Sequence, residues 1–437
     1  MAIKASTYKG MRDFSPSQMI KRNYVIDIIE KVFRNHGFDP IETPAIELWE
    51  TLSGKYGDEE KLLYTFEDRG KRKVGLRYDL TVPFSRFVAN HLNEIPRPFK
   101  RYQIQPVWRA DKPQKGRFRE FYQCDIDIIG VKSIIADAEI IKVVYEVLSK
   151  LGFIDFKINV NSRKLFNTLS EYIQVSEEKE VFIARAIDKL DKIGIDGVKK
   201  ELEKYGFVRE QIEKIEEVLN IKGDNLQKLG ELEKMMGNLP SFKNFQKEIE
   251  ELFFYCKEFG VPEDVILFNP FLARGLDYYT GPIFETTLIT PQIGSLTGGG
   301  RYDNLIGIFS NIQIPATGSS LGLERIITVM DELNMYPFSD TTYTKVLVAI
   351  QDKNLLKELI EITELLRKAE ISTELYLGNK DLRGQINYAL KKGIDLMIIM
   401  GEEEKKKGIV NIKTLSKKTQ EKVKRGKIAE EIRKRLK

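Results

Sequence analysis

Apolar residues along the chain alternate between a helical and a strand-like period, and the changes of period mark out its elements. Val25, Ile28, Ile29, Val32 and Phe33 recur at helical spacing behind Ser15, Pro16 and Gln18, and Gly37 follows the last turn. Those residues supply an N-cap, a first-turn proline, a capping partner and a stop. FDPIETPAIELWETL is extended, and Pro44 within it marks an edge or a bend and not a central strand. KVGLRYDLTVPFSRFV predicts a short strand entering a loop with Arg77, Asp79 and Thr81, where Asp79 is either a helix cap or a ligand carboxylate. The sharpest pattern lies between Tyr102 and Ile128. Two strands joined by ADKPQKGR place Gln103, Gln105, Val107 and Arg109 with Phe121, Gln123, Asp125 and Asp127 on one face. Tyr102, Ile104, Trp108, Tyr122, Cys124, Ile126 and Ile128 fall on the other, so one side of this hairpin is core and the other is a polar face, either solvated or a site.

Ile140, Ile141, Val144, Val147 and Leu148 then stripe a helix ended by Gly152, and INVNSRKLF predicts a strand running into another helix. From about Ser176 to Phe259 the chain turns to Glu, Lys, Leu and Ile at helical spacing, which predicts an inserted helical module. Strand chemistry returns in FNPFLARGLDYYTGPIFETTLI, a glycine cluster at Gly298–Gly300, and TGSSLGLERIITVMDEL. Beyond the polar stretch near Tyr336 to Thr344, KVLVAI, STELYLG and DLMIIMG alternate with helices over 355–369 and 381–392. This is the pattern of a small α/β domain with a mostly parallel sheet. The expected boundaries are a core at 1–175 and 260–335, an insertion at 176–259 and an α/β domain at 336–437.

With 437 residues the chain has room for two or three cores. It has no apolar run of about 18 residues and no apolar N-terminal leader, so a cytoplasmic protein is expected, without a membrane partner. Cys124 and Cys256 stand far apart and outside any CxxC or CxxH, which predicts reduced thiols and no metal site. Net charge is only +5, so basic character is local, toward Lys405 to Lys437. No GxGxxG opens the first helix of the α/β domain and no GxxxxGK[ST] occurs, so neither a Rossmann dinucleotide site nor a P-loop is supported. A strand face with Arg, Gln and Asp, beside cations and an aromatic ring, suits a phosphorylated, flat-ringed ligand such as a nucleotide.

Pro44 in its extended segment, Arg109 to Phe121 in strand-loop-strand, and Gly322 to Arg325 at a helix start resemble the three motifs of class II aminoacyl-tRNA synthetases. LARGLDYYTG, ending at Gly281, and GGGRYD, Gly298 to Asp303, resemble the signature peptides of the histidyl-tRNA synthetase family. The resemblance covers nearly the whole chain. It implies an α+β fold: a class II antiparallel-sheet catalytic core with a helical insertion, plus a C-terminal α/β anticodon-binding domain. It implies a homodimer formed through the Pro44 region, with histidine, ATP, Mg²⁺ and tRNA(His) as ligands. By the same resemblance, Arg109 would hold the histidine carboxylate and the α-phosphate, and Arg274 would be catalytic at that phosphate. Asp79 and Thr81 would bind the α-amino end with help from Gln123, Leu80 would also be histidine-binding, and Asp127 and Tyr279, with Tyr278 nearby, would read the imidazole. Asp111 and Arg117 would serve ATP, Arg117 at its terminal phosphates, while Phe121 and Arg325 sandwich adenine. Asp79 and Asp111 stand where the family often carries Glu, and LRYDLTVP is similar to the eukaryotic and archaeal style of this loop. Two alternatives are an inactive paralogue regulating ATP phosphoribosyltransferase and a class II enzyme for another amino acid. Retention of Arg109, Arg274, Arg325 and a C-terminal domain argues against the first, and LDYYTG against the second.

Overall fold

The computed structural model describes residues 5–273, 278–291 and 293–436. The chain divides into two compact units, Met1–Asp13 with Val25–Met335, and Phe14–Tyr24 with Tyr336–Lys437.

Helix α1 (Pro16–Asn35) starts as expected: the Ser15 N–H donates to Gln18 Oε1 at 2.8 Å, and Val25, Ile29, Val32 and Phe33 are fully buried. In the first unit, β1 (Asp39–Pro40) is two residues long, and the chain then passes Pro44 into β2 (Ile46–Leu48) and α2 (Trp49–Leu52). β2 belongs to a different, three-stranded sheet with β3 (Thr65–Glu67) and β4 (Lys73–Leu76), in the order β2-β4-β3. Pro44 is thus a bend between two sheets. Ile46, Leu48 and Phe66 of this small sheet are each about half exposed, at 50%, 53% and 43%.

After α3 (Thr81–Asn90), strands β5 (Phe99–Trp108) and β6 (Glu120–Ile129) form the expected hairpin, with Gln103 opposite Asp125 and Val107 opposite Phe121. Tyr102, Cys124, Ile126 and Ile128 are buried on the apolar face, beneath which lies α4 (Ile135–Lys150). β7 (Phe156–Ser162) leads into α5 (Arg163–Tyr172), capped by Ser162 Oγ accepting from the Lys164 N–H. Five helices follow: α6 (Glu180–Ile187), α7 (Leu190–Lys204, broken at Gly194), α8 (Arg209–Leu219), α9 (Asn225–Met236) and α10 (Pro240–Glu258). Ile215, Leu232, Phe245 and Ile249 of these helices share one buried cluster with Leu165, Phe166 and Leu169 of α5. The chain re-enters the large sheet with β8 (Ile266–Phe268), β9 (Pro282–Leu288) and β10 (Thr297–Arg301), then α11 (Gly307–Ser310), β11 (Ala316–Gly322) and α12 (Leu323–Glu332). Among the described residues the large sheet has eight strands in the order β1-β5-β6-β11-β10-β9-β7-β8. Its pairings are antiparallel except at the edges, where β1 runs parallel to β5 and β7 to β8.

The second unit holds β12 (Val346–Val348), α13 (Leu356–Lys368), β13 (Thr373–Leu375), α14 (Leu382–Lys392), β14 (Leu396–Ile399), α15 (Glu402–Lys407), β15 (Ile409–Thr414), β16 (Thr419–Lys424) and α16 (Ile428–Leu436). Its sheet order is β13-β12-β14-β15-β16. β12 runs parallel to β13 and β14, but β15 and β16 add an antiparallel hairpin, so the sheet is half parallel and not mostly so. The basic run after Lys405 is therefore folded, with Val410, Ile412, Val423, Ile428 and Ile432 buried under its charges.

Candidate active site

The polar face of β5–β6 forms the floor of a cavity of about 690 Å³, a volume suited to a small-molecule ligand. The strand period repeats the floor residues at steps of about 7 Å, so Phe121, Gln123, Asp125 and Asp127 run in line from one end to the other. At the first end stand Arg109, Arg117, Phe121 and Arg325. Arg109 donates through Nε to the Tyr78 carbonyl (3.0 Å), and its guanidinium lies 4.1 Å from the Tyr78 ring centroid and 5.1 Å from that of Phe121. It has no carboxylate partner among the described residues, which leaves its charge available to an anion. Arg117 is gripped by Asp111 through two parallel contacts, Nε to Oδ2 at 2.9 Å and Nη2 to Oδ1 at 2.8 Å. Arg325, in the first turn of α12, donates to the Ser295 carbonyl at 2.5 Å.

The other end is buried and carboxylate-rich. Asp79 is a helix cap that also lines the cavity. Its Oδ1 accepts from the Val82 N–H and the Tyr56 hydroxyl, each at 3.1 Å, as a helix cap does, while its Oδ2 lies 3.5 Å from the Tyr278 hydroxyl within the cavity wall. Burial pushes its carboxyl above the usual range, against the pull of Val82, Arg109, Tyr56 and Tyr278. Asp127 is held by two groups that sequence reasoning passed over. Arg101 Nη2 lies 2.5 Å from Oδ2, and the Tyr302 hydroxyl donates to Oδ1. The Arg101 contact is a charge pair and not an aligned hydrogen bond, since both atoms lack a hydrogen-bonding partner. Burial raises the Asp127 carboxyl while Arg101 opposes the rise. Gly318 on β11 makes room for this carboxylate: a Cβ there would lie 2.0 Å from Asp127 Oδ1 and 2.5 Å from the Ile126 carbonyl.

Between them, Gln123 Nε2 donates to Ser320 Oγ at 2.6 Å, and Ser320 stands opposite Asp125 in the β6–β11 ladder. Gln123 Oε1 and Asp125 Oδ1 are buried and accept no hydrogen bond. Burial pushes the Asp125 carboxyl up to about 7, with Arg101 pulling it down and Asp127 and Asp79 pushing it further up.

Two family profiles cover the chain: Histidyl-tRNA synthetase matches residues 10–326 and Anticodon binding domain matches residues 345–435. A curated Histidine--tRNA ligase of Cytophaga hutchinsonii is 40% identical, with 94% of this chain and 96% of that protein aligned. This chain belongs to the histidyl-tRNA synthetase family. The same name is carried by a relative in Aeropyrum pernix, 40% identical with 94% of this chain and 93% of that protein aligned. The crystal structure of histidyl-tRNA synthetase from Nostoc sp. PCC 7120 superposes with a TM-score of 0.86 at 32% identity, over 99% of this chain and all of that one. A Bacillus halodurans structure titled as an ATP phosphoribosyltransferase regulatory subunit/histidyl-tRNA synthetase shares the fold at 21% identity and TM-score 0.76.

In this histidyl-tRNA synthetase family chain, Asp79, Thr81, Arg109, Asp111, Arg117, Phe121, Gln123, Asp127, Tyr278, Tyr279 and Arg325 all line the one cavity. Leu80 does not: its side chain is fully buried beside the start of α3. Arg274 lies outside the described residues. The parity of β5, carried one step further, would have included Arg101, whereas Asp125 was already on the polar face but was given no role. Tyr302 lies within the signature stretch GGGRYD, but nothing local pointed to its contact with Asp127 across 175 positions of sequence.

Proposed function

We propose that the chain is a histidine–tRNA ligase that joins histidine to ATP as histidyl-adenylate and then passes the histidyl group to the 3′ end of tRNA(His). The observation that carries this reading is the gradient along one strand face. An unpaired guanidinium and aromatic ring lie at one end, and buried carboxylates, tyrosines and an amide lie at the other. Adenine would stack on Phe121 beneath Arg325, and Arg109 would lie where the α-phosphate and the histidine carboxylate meet. Arg117 would exchange Asp111 for the terminal phosphates, and Asp79, Thr81 and Gln123 would hold the α-amino end. Tyr279, with Asp127 fixed by Arg101 and Tyr302, would face the imidazole, and Tyr278 would pack beside it. Arg274 would add a second guanidinium at the α-phosphate.

In the first step a carboxylate oxygen of histidine attacks the α-phosphorus. The bond to the bridging oxygen breaks, and pyrophosphate leaves with the electron pair. Two anions must approach, so a fixed guanidinium that needs no reorganisation lowers the barrier, and no enzyme nucleophile is required. In the second step the ribose hydroxyl of the tRNA end attacks the acyl carbon and AMP departs. Among the described residues no group of three or more His, Cys, Asp or Glu could hold a metal, so Mg²⁺ would arrive on the phosphates of ATP and neutralise their charge. The half-exposed Ile46, Leu48 and Phe66 support the homodimer inferred for the Pro44 region. A cytoplasmic location accords with this activity, and no helix among the described residues is long and apolar enough to cross a membrane. The test is pyrophosphate exchange into ATP with each of the twenty amino acids. Exchange with histidine alone is expected; exchange with none would favour the regulatory paralogue.

A further inference from the structure

Three acceptors in the cavity floor lack hydrogen-bond donors; Asp127 Oδ2 lies against the Arg101 guanidinium, which leaves two that are neighbours. Gln123 Oε1 and Asp125 Oδ1 belong to side chains that are 8% and 2% exposed, one ladder step apart on β6. The other two carboxylates at this end already have partners: Asp79 caps α3 and meets Tyr56, while Asp127 takes Arg101 and Tyr302. Asp125 faces Arg101 and Gln103 of β5, Asp127 on its own strand, Ser320 of β11, Asp79 ahead of α3, and Tyr279. Arg101 is the cation among these and lies against Asp127, so the charge of Asp125 has no counterion of its own among the described residues. Leaving a buried acceptor unsatisfied costs free energy that a donating ligand restores. An α-ammonium has three N–H donors and carries a positive charge at neutral pH, whereas a neutral imidazole has one donor and no charge. Two donor-less acceptors on neighbouring floor residues, one of them a carboxylate without a counterion of its own, fit the ammonium.

We propose that Asp125 is a specificity-determining residue that, with Gln123, accepts the N–H groups of the substrate's α-ammonium, Ser320 fixing the pair. The proposal rests on reading the cavity as the amino-acid pocket of a histidine–tRNA ligase. It is tested by calorimetric titration of the full chain and its Asp125→Asn variant with two ligands. Histidinol keeps the ammonium and the imidazole, and imidazolepropionate lacks the ammonium. The variant should bind histidinol about 10- to 100-fold more weakly, the range of a lost charged hydrogen bond, and imidazolepropionate within about threefold of the parent. Equal losses for both ligands, or undiminished histidinol binding, would overturn the assignment. If Asp125→Asn does not fold, Ser320→Ala takes its place, with a smaller loss expected but the same preference between ligands; no preference overturns the proposal. Histidine-dependent pyrophosphate exchange by the parent is measured alongside. Its absence sinks the underlying function, whereas its presence with unaltered histidinol binding in the variant sinks only the role of Asp125.

Discussion

Arg101 is fully buried, 2.5 Å from Asp127, and its guanidinium lies 4.2 Å from the ring centroid of Phe84. Removing one member of such a pair leaves an uncompensated charge in a poorly polarisable interior. Asp127→Asn should therefore lower unfolding free energy by about 3–5 kcal/mol in urea titrations. A loss under 1 kcal/mol would mean that the pair is better solvated than its burial implies. Any effect of Asp127→Asn on histidine selection must be read against that loss. Asp125 makes the opposite kind of prediction. Its carboxyl is raised to about 7, so between pH 4 and 7 the folded chain keeps a proton that the unfolded chain has released. Its contribution to stability is complete below pH 4 and is lost as pH rises to 7, at up to about 1.4 kcal/mol per pH unit. Asp125→Asn should flatten that part of the stability profile, and an unchanged slope would place the titration elsewhere.

At the scale of elements, the cavity depends on how closely β11 approaches β6. Gly318→Ala would drive a methyl group into Asp127 Oδ1 and the Ile126 carbonyl, so the ladder must open. We expect a loss of about 1–3 kcal/mol in stability and a larger fractional loss of histidine-dependent exchange, because the displaced carboxylate belongs to the floor. Exchange at the parent rate would show that the strands can part without harm. The β5–β6 hairpin was legible in the sequence because its period of two and its loop are local. The cap role of Asp79 was legible too, since caps are also local. Arg101 and Tyr302 were not, for their pairing with Asp127 is a matter of sheet order, which no local period encodes. The β15–β16 hairpin was hidden for another reason. Its alternating Val410, Ile412 and Val423 sit among lysines whose charge dominates the composition there.

For the molecule as a whole, the basic residues of the C-terminal domain differ in how far their charges are already paired. Lys405, Arg425 and Arg435 each lie 2.5 Å from a carboxylate, on Glu358, Glu361 and Glu421, so their charge is largely spoken for. Lys380 and Arg383 are exposed, beside the 85% exposed Leu377, and have no acidic partner among the described residues. Changing both to Ala should weaken tRNA affinity and reduce its log–log salt slope by roughly 1 to 2, with pyrophosphate exchange unchanged. An unaltered slope would send the search for tRNA contacts to other surfaces of the chain.

The sheet order also sets a timetable. β6 is complete at Ile129, but β11, its hydrogen-bonded neighbour in the sheet, begins at Ala316. At ribosomal speeds of about 5–20 residues per second, the roughly 190 residues between them take about 10–40 s to emerge. Throughout that interval the nascent hairpin offers an unpaired edge with Cys124, Ile126 and Ile128 beside it, an invitation to wrong partners. The length of chain between the two halves of the floor is therefore also a period of exposure for the edge of β6.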